Sequence, residues 1–113
     1  MKKLIKTPIM HRVVQAGRTS YFGGITAGEH AGDMYAQTRG ALLKLENLLS
    51  EVGLARENVA SAHVFISEFS RKEEMNRAWL EFFSDDILPA RATIGVNELG
   101  EGVLVEITAV AEA

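Results

Sequence analysis

The chain has 113 residues, a formal net charge of −3, 47% hydrophobic and 24% charged residues, and no cysteine. Its length predicts one domain over residues 1–113, with an ordinary globular composition. The lack of cysteine excludes disulfides, thiolate catalysis and cysteine-based metal sites. The acidic balance and the lack of any Lys/Arg run argue against a nucleic-acid partner.

The N-terminal segment begins with lysines, as a signal peptide does. Lys6 and Pro8 interrupt its apolar run, and the other apolar runs fall far short of a membrane span. We therefore expect a cytoplasmic protein with no membrane partner.

The first part of the chain predicts strands. Segments 11–17 and 19–25 have strand composition, and Gly17 and Arg18 join them at hairpin spacing. Residues 3–6 form a possible additional short strand.

A long helix is predicted over residues 34–52. Asp33 is placed to cap its N-terminus, and Gly53 follows its last turn. Polar and apolar side chains recur at spacings of three and four and predict one buried stripe: Tyr35, Thr38, Leu42, Leu45, Leu49 and Val52.

The second part predicts another strand, a helix and two last strands. Residues 59–67 alternate as a strand does, with Ala60, Ala62, Val64 and Ile66 on one face. Ser70 and Glu73 are spaced as a capping box that opens the second helix, whose buried stripe is Met75, Trp79 and Phe82 or Phe83. Segments 92–97 and 103–111 are interpreted as two strands joined by a polar turn.

This order, β-β-α-β-α-β-β, predicts an α+β fold with both helices packed on one face of a sheet. Several strands are apolar on both faces, while two helices can cover only one. The pattern therefore predicts that other copies of the chain cover the second face.

Few residues suggest chemistry. His11, His30 and His63 are separated by 19 and 33 residues, which gives no ligand pair, so no metal site is expected. Gly23 and Gly24 indicate either a close approach of another group or plain turn or bulge positions.

Arg91 and Glu106 are the remaining candidates. Arg91 opens a strand and by itself is most simply a surface arginine, whereas Glu106 has apolar residues on both sides and needs a partner or a raised pKa. Whether the two share a face depends on the register of the turn between their strands.

The segment "PARATIGVNELGEGVLVEITAVA" resembles the C-terminal signature of the RidA/YjgF family, the reactive-intermediate imine deaminases. Further matching segments are "GRTSYFGG", "DMYAQTRGAL" with Gln37, and "VFISEFSRKEEMNRAWLEFF" with Asn76. The resemblance covers nearly the whole chain in the same order.

The resemblance implies a chorismate-mutase-like homotrimer whose sheets form a central β-barrel, with ligand clefts between chains. It implies cofactor-free hydrolysis of enamines and imines, such as 2-aminoacrylate or larger 2-imino acids, to 2-keto acids and ammonium. In this family the residue matching Arg91 binds the substrate carboxylate, and the one matching Glu106 activates water. Thr93, Gly24 and Asn76 occupy further substrate-binding positions.

Three positions depart from the family pattern. Met10 stands where the family has a tyrosine, and Gly23 and Ile25 replace polar residues. We expect Met10, Gly23 and Ile25 to line a substrate cleft that is roomier and more apolar and therefore suits larger imines. Two alternatives to the deaminase remain: a non-catalytic trimer that binds small carboxylates, and a ribonuclease, which the charge disfavours.

Overall fold

The computed structural model describes residues 1–113, which form a mixed α+β fold of six strands and two α-helices. The strands are β1 (Lys2–Lys6), β2 (His11–Ala16), β3 (Thr19–Ile25), β4 (Val59–Ile66), β5 (Ala90–Gly95) and β6 (Val105–Glu112), and the helices are α1 (Met34–Glu51) and α2 (Lys72–Phe82). The predicted order of elements is confirmed, including the additional short strand.

The six strands form one sheet in the order β1-β2-β3-β6-β4-β5. Only β4 and β5 pair in parallel, with α2 connecting them, and the other pairs are antiparallel. The prediction that the last two strands form a hairpin is wrong, because β4 lies between them. The burial explains the placement: β6 alternates between buried and half-buried positions and belongs at the centre, whereas β5 has no fully buried residue and forms an edge.

Helix α1 agrees with its sequence pattern except at the ends of the predicted stripe, where Tyr35 and Val52 are only half-buried. The Asp33 carboxylate accepts a hydrogen bond of 2.9 Å from the Ala36 N–H, which caps the N-terminus. Gly53 follows the C-cap Val52 with a φ of +74°, a conformation that favours glycine. Leu42, together with the next two leucines of the predicted stripe, is completely buried.

Helix α2 begins differently from the prediction. Ser70 lies in a 3₁₀ turn over Phe69–Arg71, and the helix starts at Lys72 with no side-chain cap. The capping box is therefore wrong, because the Arg71 N–H already bonds to the Glu68 carbonyl at 3.0 Å and closes the turn around Ser70. The predicted buried stripe of α2 is confirmed.

Both helices cover the same face of the sheet, which makes a two-layer molecule of 38 × 37 × 19 Å. The opposite face, called here the open face, includes Tyr21, Phe65 and Val110. A register shift between Val59 and Ser61 turns Ala60 outwards, so its predicted place on one face with Ala62 is wrong. Neither helix combines the length and hydropathy of a membrane-spanning helix.

Candidate functional site

Arg91 lies on the helix-covered face of edge strand β5, paired in register with the buried Ala62. Its Nη1 is 3.6 Å from the Met75 sulfur, and its Cζ is 5.1 Å from the centre of the Trp79 ring. It forms no ion pair within the chain, and burial lowers the pKa of its guanidinium from the ordinary value. A half-buried cation therefore lies against apolar side chains without an anion.

Two polar groups on the same side of the sheet lack partners. Thr93 follows Arg91 on this face of β5, and Asn76 follows Met75 on α2. Thr93 Oγ1 and Asn76 Oδ1 are buried without a hydrogen-bond partner, while Asn76 Nδ2 makes only a long contact of 3.5 Å to Glu73. Unpaired buried polar atoms are costly and mark places where a ligand can bond. We call Asn76, Arg91 and Thr93 the arginine half-site.

Glu106 lies in central strand β6 and points to the open face. Its neighbours Val105 and Ile107 are completely buried under the helices, and it is paired in register with Phe65 of β4. Within the chain its carboxylate forms no ion pair and no hydrogen bond with another side chain. The carboxylate is therefore free to bond to a water or a ligand at this surface.

A bulge in β3 makes room for this carboxylate. The pairing of β3 with β6 shifts between Phe22 and Ile25, where Gly23 and Gly24 lie. A Cβ atom at Gly24 would overlap Oε2 of Glu106 and stand 3.0 Å from its Cδ. Gly24 is therefore a bulge glycine that also permits a close approach, and the approaching group is Glu106.

Met10 packs over the other glycine of this bulge. A Cβ atom at Gly23 would stand 3.1 Å from the Met10 sulfur. Hydrogen bonds with Thr7 hold the Met10 backbone in the β1–β2 turn. In one of them the Thr7 N–H donates to the Met10 carbonyl at 2.7 Å. We call Met10, Gly23, Gly24 and Glu106 the glutamate half-site.

The expected contribution of Ile25 to a roomier cleft is wrong. The bulge turns Ile25 to the helix-covered face, where it is 3% exposed and paired in register with Ile107 in the core. The space that Gly23 leaves is also occupied, since the Met10 sulfur fills it. These departures from the family pattern therefore do not enlarge the cleft.

One chain does not bring the two half-sites together. Arg91 lies on the helix-covered face and Glu106 on the open face, with β4 between their strands. The question that the sequence left open has a clear answer: the two charges do not share a face.

Sequence reasoning missed the role of Gln37, which appeared only as part of a family motif. Its amide is 1% exposed and donates 2.9 Å hydrogen bonds to the carbonyls of Gly32 and Gly102, while its oxygen accepts a 2.8 Å bond from the Leu104 N–H. It thereby ties the start of α1 to the segment that leads into Glu106. A polar residue on the buried stripe of α1 was the available signal.

Comparison with known proteins gives the family. A family model described as Endoribonuclease L-PSP matches residues 6–113. The 3-aminoacrylate deaminase RutC of Acinetobacter baylyi is 32% identical over 82 residues, which are 73% of this chain and 64% of that protein. The chain therefore belongs to the RidA/YjgF family, as its motifs indicated.

Two further relatives agree. A RutC family protein of Aquifex aeolicus is 37% identical over 68 residues, which are 59% of this chain and 54% of that protein. The crystal structure of Rv2704 of Mycobacterium tuberculosis, a member of the YjgF/YER057c/UK114 family, has a TM-score of 0.84 at 30% identity, covering 91% of this chain and 86% of that chain. The matched part spans only 54% and 64% of the two curated relatives.

Proposed function

We propose that this protein hydrolyses reactive 2-imino acids and their enamine tautomers to 2-keto acids and ammonium, at a site that two chains build together. The observation that carries the proposal is the division of the site. An unpaired cation with two unpaired polar atoms lies on one face of the sheet, and an unpaired carboxylate lies on the other. Together they supply what a small anionic electrophile needs: a carboxylate clamp and a general base.

The open face supports an assembly of several chains. Phe65 and Val110 are half-buried there, Tyr21 is 49% exposed, and no helix covers them. Burying such a face against other copies removes apolar area from water. We propose the homotrimer with a central barrel that the family resemblance implies, in which the arginine half-site of one chain meets the glutamate half-site of the next.

The arginine half-site would bind and orient the substrate. The guanidinium of Arg91 donates two parallel hydrogen bonds to the carboxylate, which its planar fork suits. The Thr93 hydroxyl donates a further bond to the bound acid, and Asn76 Oδ1 accepts one from the imine N–H. Binding thus satisfies both atoms that lack partners in the isolated chain.

Glu106 of the adjacent chain would act on water. It removes a proton from water as the water oxygen bonds to the imine carbon, and it passes that proton to nitrogen. The tetrahedral carbinolamine then collapses: Glu106 takes the hydroxyl proton and delivers it to the amino nitrogen, the carbon–nitrogen bond breaks as the carbonyl forms, and ammonia leaves and takes a proton from solvent to become ammonium. An enamine enters the same route after protonation on its terminal carbon.

A relative supports the reaction class. The Acinetobacter protein is named a deaminase of 3-aminoacrylate, itself an enamine of a small carboxylic acid. The alternative is a trimer that binds small carboxylates without catalysis, because the arginine half-site alone would suffice for binding. The name of the matching family model makes RNA cleavage a third outcome to test.

The test generates imines with an amino-acid oxidase and measures formation of the keto acid with and without the protein. We expect acceleration by the wild type and a loss of about 100-fold or more in kcat/KM for Arg91→Ala, since a bond to a charged group is worth about 1.5–3 kcal/mol. Arg91→Lys should not restore activity, because an ammonium lacks the planar fork.

Two results would overturn the proposal. Keto-acid binding without acceleration by the wild type would make the protein a binding module. Full activity in Arg91→Ala would show that Arg91 does not bind the substrate carboxylate. RNA incubated in parallel should remain intact.

A further inference from the structure

Phe69 has a large apolar side chain that lies outside the hydrophobic core. It lies in the 3₁₀ turn before α2, and it is 50% exposed. The Lys72 ammonium is 5.4 Å from the centre of its ring, and the ring contacts the edge strand β5 at Gly95. The sequence pattern gave it no role, and the mechanism above does not use it.

The ring lies at the end of the row that begins with the substrate clamp. Arg91, Thr93 and Gly95 alternate along β5 and therefore share its helix-covered face. A Cβ atom at Gly95 would stand 3.0 Å from Cδ1 of Phe69 and 3.7 Å from its Cε1. Glycine at this position lets the ring lie directly against the strand, in line with the other two residues.

We propose that Phe69 is a residue that determines substrate specificity and that it contacts the far end of an apolar substrate side chain. This inference rests on the proposed deaminase function. A strand rises about 3.3 Å per residue, so Gly95 lies roughly 13 Å along β5 from Arg91. The extended arginine side chain and the bound carboxylate cover part of that distance.

The remaining distance between the bound carboxylate and the Phe69 ring determines which substrates contact the ring. The imine of alanine ends one carbon beyond the reacting centre and leaves the ring untouched. The branched or longer side chains of leucine and methionine extend several carbons further and bury their ends against it. The substrate class that fits is therefore the 2-imino acids of larger apolar amino acids.

The test compares the imines of leucine and alanine as substrates of the wild type and Phe69→Ala. An apolar contact of this size discriminates by roughly 10-fold or more. We expect kcat/KM for the leucine imine to fall by about that factor, mostly through KM, while the alanine imine changes less than about twofold. Phe69→Leu should keep most of the preference.

A matched control and a second variant complete the experiment. Leu80→Ala removes another exposed apolar side chain, 56% exposed on α2, and should leave both rates unchanged. Gly95→Val adds a side chain where the Phe69 ring lies and displaces the ring, so it should also lower kcat/KM for the leucine imine selectively. This variant tests the idea even where Phe69→Ala folds poorly.

The outcomes separate the two proposals. A wild type that accelerates no imine contradicts the deaminase function. An active wild type whose leucine-to-alanine ratio is the same in Phe69→Ala and Gly95→Val contradicts the role of Phe69 alone.

Discussion

Arg91 and Glu106 are accommodated in different ways at the scale of single residues. Arg91 lies along Met75 and Trp79, so its aliphatic stem is packed while its guanidinium lacks an anion, and burial lowers its pKa. Glu106 instead depends on a glycine, because Gly24 leaves the volume that its carboxylate occupies. The first residue is a cation without an anion, and the second occupies space that a glycine leaves free.

The dependence of Glu106 on Gly24 makes a sharp prediction. Gly24→Ala places a methyl group where Oε2 lies, and the carboxylate must move. Removing a positioned general base costs about 100-fold or more, so we expect kcat to fall nearly as far as in Glu106→Gln. Steady-state kinetics with one imine measures both variants.

Gly23→Ala is the matched control. Its methyl group would meet the Met10 sulfur at 3.1 Å, near the end of a flexible side chain that can shift. We expect a loss of only a few-fold in kcat. Equal losses in the two alanine variants would show that the bulge as a whole matters and that the contact between Gly24 and Glu106 does not.

At the scale of elements, Gln37 connects the start of α1 with the segment before β6, which is distant in sequence. Its amide bonds to the Gly32 carbonyl before α1, and to the Gly102 carbonyl and the Leu104 N–H before β6. His30 reinforces the junction with a 3.1 Å bond from its N–H to the Gly102 carbonyl. The segment before Glu106 therefore depends on a side chain of α1 for its place.

Replacing this amide should destabilise the fold. Gln37→Leu removes a partner from the Gly32 carbonyl and the Leu104 N–H and leaves the Gly102 carbonyl with only the His30 N–H, so we expect the free energy of unfolding to fall by about 1–3 kcal/mol. Thr38→Val is the control: its hydroxyl bonds at 2.7 Å only to the Met34 carbonyl, and its loss should cost about 1 kcal/mol or less.

Urea unfolding at equal protein concentration measures both changes, because the stability of an oligomer depends on concentration. A cost for Gln37→Leu no larger than that for Thr38→Val would show that water or a rearranged loop replaces the amide.

The sequence predicted local elements better than the relations between them. The spacing of buried residues and the capping residues were enough to predict α1, since Asp33 and Gly53 act within one turn of their own helix. The sheet order could not be predicted, because the polar segment between β5 and β6 looks like a turn although β4 separates the strands. The predicted place of Ile25 in the cleft was wrong for a similar reason, because a bulge of one residue reverses the alternation of the residues that follow it.

The candidate site was predicted as residues but not as geometry. Arg91, Glu106, Gly24 and Asn76 were assigned to a site from family motifs, yet motifs do not say on which face of the sheet each side chain lies. That information depends on strand order and on the bulge, which are long-range properties. Phe69 was missed because an apolar residue near a helix start resembles any core residue.

At the scale of the whole molecule, the two half-sites lie on opposite faces of a sheet that is one layer thick. A substrate held by Arg91 therefore cannot meet Glu106 of the same chain. If each arginine half-site meets the glutamate half-site of the next chain, a closed trimer contains three equivalent sites.

The most direct measurement of this central claim mixes two inactive variants, Arg91→Ala and Glu106→Gln. Each is first shown to be trimeric by sedimentation, and the two are then unfolded and refolded together in equal amounts. Random trimers should pair an intact Arg91 with an intact Glu106 in about one quarter of sites, so about a quarter of wild-type activity should return. Refolded mixed trimers with no more activity than either variant alone would contradict a site shared between chains.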